Sequence, residues 1–328
     1  MHIPDNYLSP ETCAVMGAAM VPVWIAAVRK VKQYMPGAKL PLLGVGAAFS
    51  FLLMMFNVPV PGGTTAHAVG GTLLAVVLGP WSATIAISIA LLLQAVMFGD
   101  GGVLSFGANC FNMAFVIPFV GYFLYQLVKT KNSTVQLVGL GIASYIAINM
   151  AALSAAIELG IQPLLFRDAA GLPLYCPYPP AVAIPAMLIP HLTIAGAAEV
   201  FFTVAIVAFI RRVSPGIIYG GVRTRMGAVY GVIVALVCLS PLGLLATGTA
   251  WGEWGADEIS GVTTAGHTLG FVPQAMAKGF SFAAPLSDYS VQGFPEFAGY
   301  IVSAIAGVAL LIILFKLLGL ARNGLPPK

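Results

Sequence analysis

Long runs of apolar residues dominate the chain and restrict what it can fold into. Of its 328 residues, 59% are hydrophobic and only 8% are charged, whereas about a quarter of the residues in an ordinary soluble domain carry charge. The mean hydropathy is +0.95. Helices of about 20 apolar residues span a bilayer, whereas the strands of a membrane barrel alternate apolar with polar residues. The sequence therefore predicts an all-α, polytopic helical membrane protein.

About nine membrane segments are predicted from hydropathy. Their approximate limits are 12–33, 40–57, 68–79, 82–98, 109–128, 134–157, 183–210, 226–247 and 298–318. The third segment is short for a full span and is bracketed by Gly70-Gly71 and Gly79-Pro80. Irregular backbone at membrane depth is tolerated only inside the protein or beside a water-filled cavity. This segment is therefore either a buried short span or a broken helix.

Basic residues are concentrated in alternate connections and at the C-terminus, which predicts the orientation. They are Arg29, Lys30, Lys32, Lys39, Lys129, Lys131, Arg211, Arg212, Arg223, Arg225, Lys316, Arg322 and Lys328. With an external N-terminus all of them fall on one side, which the positive-inside rule makes cytoplasmic. None of the eleven acidic residues lies in a predicted cytoplasmic loop. We therefore expect an external N-terminus and a cytoplasmic C-terminus.

Two functional parts are expected. Residues 1–212 read as one compact membrane bundle. Residues 213–328 read as a two-span accessory region that contains a large external loop, 249–297.

The first residues, Met1-His2-Ile3-Pro4-Asp5, have the nitrogen donors of a chelate. The α-amine, the His2 backbone nitrogen and the His2 imidazole can close two small rings around one cation. Four nitrogens in a plane are typical of Ni(II) or Cu(II) sites. A bulky second residue favours retention of Met1, and the start does not look like a secretory signal peptide. Taken alone, however, His2 is more often an ordinary residue at a frayed terminus.

A second imidazole is available on the same predicted face. His67 follows the turn Pro61-Gly62-Gly63 at the entry to the third segment. Ionisable groups beside a membrane segment are costly, so His67 is a candidate fourth ligand. The alternative is that His67 simply bonds a loop carbonyl.

Other polar residues are candidates for orienting a ligand or for intramembrane chemistry. The orienting candidates are Thr65, Asp100, Asn109 and Asn112. Asn109 and Asn112 are three residues apart and share a helix face, where they either orient a ligand or join helices. His191 and Glu199, eight apart in the seventh segment, form a candidate intramembrane polar pair, either as a relay or as a structural pair within the bundle.

These motifs resemble those of the CbiM/NikM family. The matching segments are Met1-His2-Ile3-Pro4-Asp5, Pro61-Gly62-Gly63-Thr64-Thr65-Ala66-His67, Gly99-Asp100-Gly101-Gly102 and Gly107-Ala108-Asn109. Members are substrate-binding (S) components of energy-coupling factor (ECF) transporters for nickel and cobalt. The resemblance implies that Met1, His2 and His67 bind the ion, Ni(II) or Co(II), which is the transported substrate. The C-terminal region resembles the NikN/CbiN accessory component, fused in one chain.

The resemblance also implies an ATP-driven importer whose ATPase lies in other chains. The sequence has no phosphate-binding loop of the G-x-x-x-x-G-K-[ST] type. The expected partners are a transmembrane coupling (T) component, cytoplasmic ATP-binding-cassette subunits and membrane lipid, with no nucleic acid and no organic cofactor. The alternative is an ion-gradient-driven secondary transporter in which His191 and Glu199 carry protons. An enzyme is not expected, because H-E-x-x-H and G-x-S-x-G are absent. Nickel is favoured over cobalt.

Overall fold

Helices form most of the regular structure in this computed structural model, which describes residues 1–60, 64–219, 225–246, 248–264 and 266–323. The first half contains α1 (Pro10–Tyr34), α2 (Leu40–Met55), α3 (Gly71–Leu78), α4 (Pro80–Leu93), α5 (Phe106–Asn109), α6 (Ile117–Gln126) and α7 (Ser133–Gly160). The second half contains α8 (Gln162–Leu165), α9 (Pro180–Pro190), α10 (Gly196–Val213), α11 (Gly216–Tyr219), α12 (Met226–Leu239), α13 (Gln274–Lys278) and α14 (Glu296–Asn323). Two antiparallel hairpins join β1 (Val58–Val60) to β2 (Thr64–Ala66) and β3 (Thr263–Thr264) to β4 (His267–Thr268).

Seven helical segments in the described ranges are long and apolar enough to cross a membrane. They correspond to the first predicted segment and to the fourth through the ninth. The two remaining predicted segments are shorter helices: α2 has 16 residues and α3 has 8. The prediction of an all-α, multi-pass membrane protein is confirmed.

The short third segment is a helix that cannot cross a bilayer. Eight residues rise only about 12 Å, against a hydrocarbon thickness of about 30 Å. Gly79 alone connects α3 to α4. Residues 64–70, which precede α3, lie in the protein interior without helical structure, and His67 belongs to this stretch.

Three π-helical turns interrupt or end the helices, at Gln94–Phe98, Cys110–Val116 and His191–Ala195. Such turns are frequent at functional sites because the extra residue redirects side chains and frees backbone carbonyls. The first turn leads directly into the loop that carries Asp100. The last one packs against both strands of the β1–β2 hairpin.

The accessory helices pack against the bundle through α2. A Cβ atom on Gly44 would lie 3.0 Å from the Cβ of Phe315, so this glycine lets α14 approach α2 closely. Tyr300, near the start of α14, donates a hydrogen bond of 2.7 Å to the carbonyl of Met55. Because α2 is buried almost completely, α14 and α12 form part of its packing surroundings.

The connections separate into two ends of the bundle. The N-terminal segment and the loops predicted to be external contact one another, as described below. At the other end, Arg211 donates to Tyr125 and Gln136, and Arg322 donates to the carbonyls of Val31 and Lys32. The direction of insertion stays a prediction. Among the predicted features, Pro61-Gly62-Gly63, Arg223 and Lys328 lie outside the described residues.

Candidate metal centre

The N-terminal segment is held in a fixed register by Asn109. The Ile3 N–H donates to Asn109 Oδ1 at 2.8 Å, and Asn109 Nδ2 donates to the Ile3 carbonyl at 3.0 Å. The Gly102 N–H donates to the same carbonyl at 2.9 Å. An amide side chain supplies both a donor and an acceptor. Asn109 therefore pairs with the backbone of Ile3 in the way that a neighbouring β-strand would. Met1 and His2 are thereby placed at a defined point.

Two further anchors follow along the segment. The Asp5 carboxylate accepts from the N–H groups of Val103 and Leu104, at 3.0 and 2.7 Å. Ser9 caps α1, because its hydroxyl oxygen accepts from the Thr12 N–H at 3.1 Å. A Ser N-cap followed by Pro at the first helical position is a common helix start. The N-terminal segment is therefore held by the 99–104 loop at Asp5 and leads into a capped α1 at Ser9.

His2 is buried against the loop that carries Asp100. Its Nδ1 lies 3.1 Å from Asp100 Oδ1, and its Nε2 has no hydrogen-bond partner among the described residues. A Cβ atom on Gly101, whose φ is +83°, would lie 3.3 Å from the His2 ring. Burial lowers the pKa of His2 to about 3, so the imidazole is neutral at neutral pH. Burial also raises the pKa of Asp100.

His67 faces His2. The centroids of the two rings lie 4.9 Å apart, with 31° between the ring planes. His67 Nδ1 lies 3.1 Å from the Ala68 carbonyl, so this nitrogen carries the proton and Nε2 presents a lone pair. Nε2 is buried and has no partner within the described part of the chain. Burial lowers the pKa of His67 well below its usual value, and a neutral imidazole fixed in this way is ready to bind a metal ion.

Glu199 on α10 holds the loop that carries His67. Its Oε2 accepts from the N–H groups of Val69 and Gly70, at 2.8 and 2.9 Å. Ser50 on α2 donates to the Val69 carbonyl at 2.7 Å. These bonds satisfy backbone groups that would otherwise be unpaired in the interior. The non-helical stretch before α3 is stable there for this reason.

The loop of residues 249–297 also contacts the N-terminal segment and the hairpin before His67. Glu253 Oε1 lies 3.5 Å from the α-amine of Met1. The Trp251 N–H donates to Thr64 Oγ1 at 2.8 Å, and the Tyr7 hydroxyl donates to the Trp254 carbonyl at 2.9 Å. Burial raises the pKa of Glu253 to about 7. Residues 251–254 therefore contact both the N-terminal segment and the His67 hairpin.

A cavity of about 610 Å³ opens beside the two imidazoles. Its described lining has no Lys or Arg and includes four acidic residues, Asp100, Glu253, Asp288 and Glu296. Within the described ranges, no three side chains of His, Cys, Asp or Glu cluster so as to hold a metal ion by themselves. Beside the two imidazoles, the N-terminal amine of Met1 is a further nitrogen close to this cavity.

The remaining predicted residues have separate surroundings. Thr65 is buried in β2 and lines the cavity. Asn112 donates to Glu158 at 2.9 Å and so joins two helices away from the terminus. His191 Nδ1 lies 2.7 Å from the Met187 carbonyl, whereas Glu199 bonds the His67 loop. The described contacts do not bring His191 and Glu199 together as a pair.

Several site residues escaped the sequence analysis. Glu253, Gln94 and Tyr289 all contact Met1, His2 or Asp100. For Glu253, the sequence feature that could have indicated a buried site residue is its position between Trp251 and Trp254 in an otherwise polar loop. Gln94 and Tyr289 carry no comparable signal, because their role depends on contacts far apart in sequence.

Comparison with known proteins identifies two family regions. Residues 2–217 match the CbiM family, described as the cobalt uptake substrate-specific transmembrane region, and residues 225–323 match the PDGLE domain. The protein of Lactiplantibacillus plantarum named "Probable fused nickel transport protein LarMN" is 51% identical over 319 residues, which cover 96% of this chain and 97% of that one. The "Fused nickel transport protein NikMN" of Rhodobacter capsulatus is 50% identical over 333 residues, covering 95% of each chain.

A solved structure is also similar. A crystal structure titled as a truncated transition metal transporter is 55% identical, with a TM-score of 0.61, and covers 64% of this chain and 98% of its own. The similarity extends over nearly the whole chain in the fused relatives and over the bundle in the truncated one. The chain therefore belongs to the CbiM family, as a multi-pass protein of the prokaryotic plasma membrane in which a CbiN-like PDGLE region follows the CbiM region.

Proposed function

We propose that this protein is the substrate-binding membrane component of an ATP-driven, ECF-type importer for transition-metal cations, with nickel favoured over cobalt. The observation that carries the proposal is the meeting of two buried, neutral imidazoles with the α-amine of Met1 beside an acidic cavity. The family description names cobalt uptake, and the two fused relatives are named as nickel transport proteins.

Four nitrogens form the proposed ligand set. They are the Met1 amine, the His2 backbone nitrogen, a His2 ring nitrogen and His67 Nε2. Only Nδ1 of His2 is close enough to its own backbone to complete the second chelate ring. Because Nδ1 faces Asp100 in this structure, the incoming ion takes the place of a hydrogen bond to that carboxylate. A planar set of nitrogens favours Ni(II) or Cu(II) over Co(II).

Partner subunits would supply the energy. The chain has no phosphate-binding loop in its sequence, so we assign ATP hydrolysis to cytoplasmic ATP-binding-cassette subunits and coupling to a transmembrane T component. Uptake into proteoliposomes tests this assignment. Uptake that requires the T component, the ATPases and ATP supports it, whereas uptake driven by an ion gradient through this chain alone contradicts it.

Titration of the purified full-length protein with Ni(II) and with Co(II) tests the ligand set. The variants are His2→Ala, His67→Ala and a form whose N-terminal amine is acetylated. Each removes or displaces one chelating nitrogen, and we expect a loss of affinity of about 100-fold or more. His267→Ala is the matched control, because His267 is exposed on β4. Unchanged Ni(II) affinity in the acetylated protein would exclude the amine as a ligand.

A further inference from the structure

A segment of the accessory loop just before α14, residues 286–290, is inserted against the bundle. The Leu286 N–H donates to the Met97 carbonyl at 2.9 Å, in the π-helical turn that ends the α4 segment. Ser303 on α14 donates to the Tyr289 carbonyl at 2.8 Å. The segment is thus attached to α4 on one side and to α14 on the other.

The backbone of this segment is strained at two successive residues. Asp288 has φ +54° and Tyr289 has φ +58°, both in the left-handed region that residues with a Cβ atom rarely adopt. Such conformations persist only where the surrounding structure holds them, and they concentrate at functional sites. The consequence here is that the Tyr289 side chain points inward, where it is 6% exposed.

Packing fixes the direction of the Tyr289 ring. It stacks on Phe98 with a centroid separation of 4.8 Å and an interplanar angle of 24°. Tyr300 and Phe51 pack around it at 5.3 and 6.2 Å. The hydroxyl therefore has little freedom to choose its partner.

That partner is the carboxylate beside His2. The Tyr289 hydroxyl donates to Asp100 Oδ2 at 2.5 Å, and Gln94 Nε2 donates to the same oxygen at 3.0 Å. The other oxygen, Oδ1, lies 3.1 Å from His2 Nδ1. Before the ion binds, Asp100 thus connects a residue of the PDGLE region to a candidate metal ligand in the CbiM region.

We propose that Tyr289 is a positioning residue of the ion site and that it acts through Asp100. The proposal rests on the proposed function, since it assumes that the ion binds at Met1, His2 and His67. Tyr289 fixes the Asp100 carboxylate, and with it the 99–104 loop whose N–H groups also hold Ile3 and Asp5. The accessory region contributes in this way to the geometry of the site.

Binding of Ni(II) to the full-length protein in detergent tests the proposal. Tyr289→Phe keeps the stacked ring and removes only the donor, and we expect Ni(II) affinity to fall about tenfold, as for other groups that orient metal ligands. Tyr300→Phe is the matched control, because it removes a buried hydroxyl of the same aromatic cluster that bonds Met55 rather than Asp100. We expect its affinity to stay within about twofold of the parent.

A double-variant cycle separates positioning from general destabilisation. If Tyr289 acts through Asp100, then Tyr289→Phe added to Asp100→Asn weakens binding by no more than about twofold beyond Asp100→Asn alone. The visible absorption band of bound Ni(II) should also shift in Tyr289→Phe and not in Tyr300→Phe, because it reports the ligand geometry.

Each outcome decides between the alternatives. Equal or tighter Ni(II) binding by Tyr289→Phe overturns the proposal, as does a fully additive double variant. A loss of affinity equal to that of Tyr300→Phe, with matching loss of thermal stability, overturns it as well. Failure of the unmodified protein to bind Ni(II) would instead refute the proposed function, so the two failures are distinguishable.

Discussion

The carboxylate of Glu253 lies 3.5 Å from the α-amine of Met1, although 252 residues separate them. The PDGLE region therefore places a carboxyl group beside the first nitrogen of the proposed chelate. Glu253→Gln keeps the shape and removes the carboxylate, and we expect Ni(II) to bind about fivefold more weakly above about pH 7, where the carboxylate is charged. Calorimetric titration measures the change. Glu258→Gln, an exposed neighbour in the same loop, should behave like the parent protein.

Asn109 and Asn112 should differ in their effect on metal binding. Asn109→Ala removes both hydrogen bonds to Ile3, and a loss of about 1.4 kcal/mol corresponds to tenfold weaker binding. Asn112→Ala removes the bond to Glu158 instead, so it should lower the melting temperature with little change in affinity. Comparable affinity losses in the two variants would show that the N-terminal register is not what Asn109 controls.

Glu199 should matter because of the loop that it holds. Glu199→Gln replaces a carboxylate that accepts from two N–H groups with an amide that accepts less strongly. Hydrogen bonds to charged groups contribute about 1.5–3 kcal/mol, and we expect Ni(II) affinity to fall tenfold or more as His67 loses its fixed position. Glu158→Gln is the matched buried control. If both variants keep the parent affinity, the His67 loop does not depend on this anchor.

Ni(II) affinity should rise with pH because binding releases protons. The two imidazoles should not be the source of these protons. Burial lowers the pKa of His2 to about 3 and that of His67 well below its usual value, so both rings are neutral at neutral pH. Binding then releases the proton of the His2 amide, since an amide nitrogen must lose its proton to bind the ion. Titrations in buffers of different ionisation enthalpy count these protons. A step in affinity centred near pH 6.5, the ordinary histidine value, would contradict the neutral state of the two rings.

Hydropathy predicts the membrane segments because the bilayer itself imposes the pattern. Spans such as Ser133–Gly160 must be apolar along their length, so a stretch of consecutive residues is enough to predict each one. The glycines on either side of α3 predict that this segment is short. The π-helical turns were not, because they arise from packing that shifts a hydrogen bond by one residue and leave no local signature.

The site was predictable where its chemistry is local. Met1 and His2 are neighbours in the chain, and His67 stands at a segment boundary that hydropathy marks. Glu253 and Tyr289 become visible only in the folded protein, since each meets its partner across most of the chain length. The sequence marks Glu199 as a buried carboxylate, but its bonds to the N–H groups before α3 depend on the fold. His191 Nδ1 lies against the Met187 carbonyl.

The packing of α14 on α2 has a consequence for how the protein is made. Tyr300 and its acceptor Met55 are separated by 245 residues, and ribosomes add about 5–20 residues per second. After α2 has been synthesised, roughly 12 to 50 s pass before the helix that covers it leaves the ribosome. During that interval the newly inserted bundle presents the α2 surface to lipid or to the insertion machinery, so the packing around α2 is completed long after α2 itself has been made.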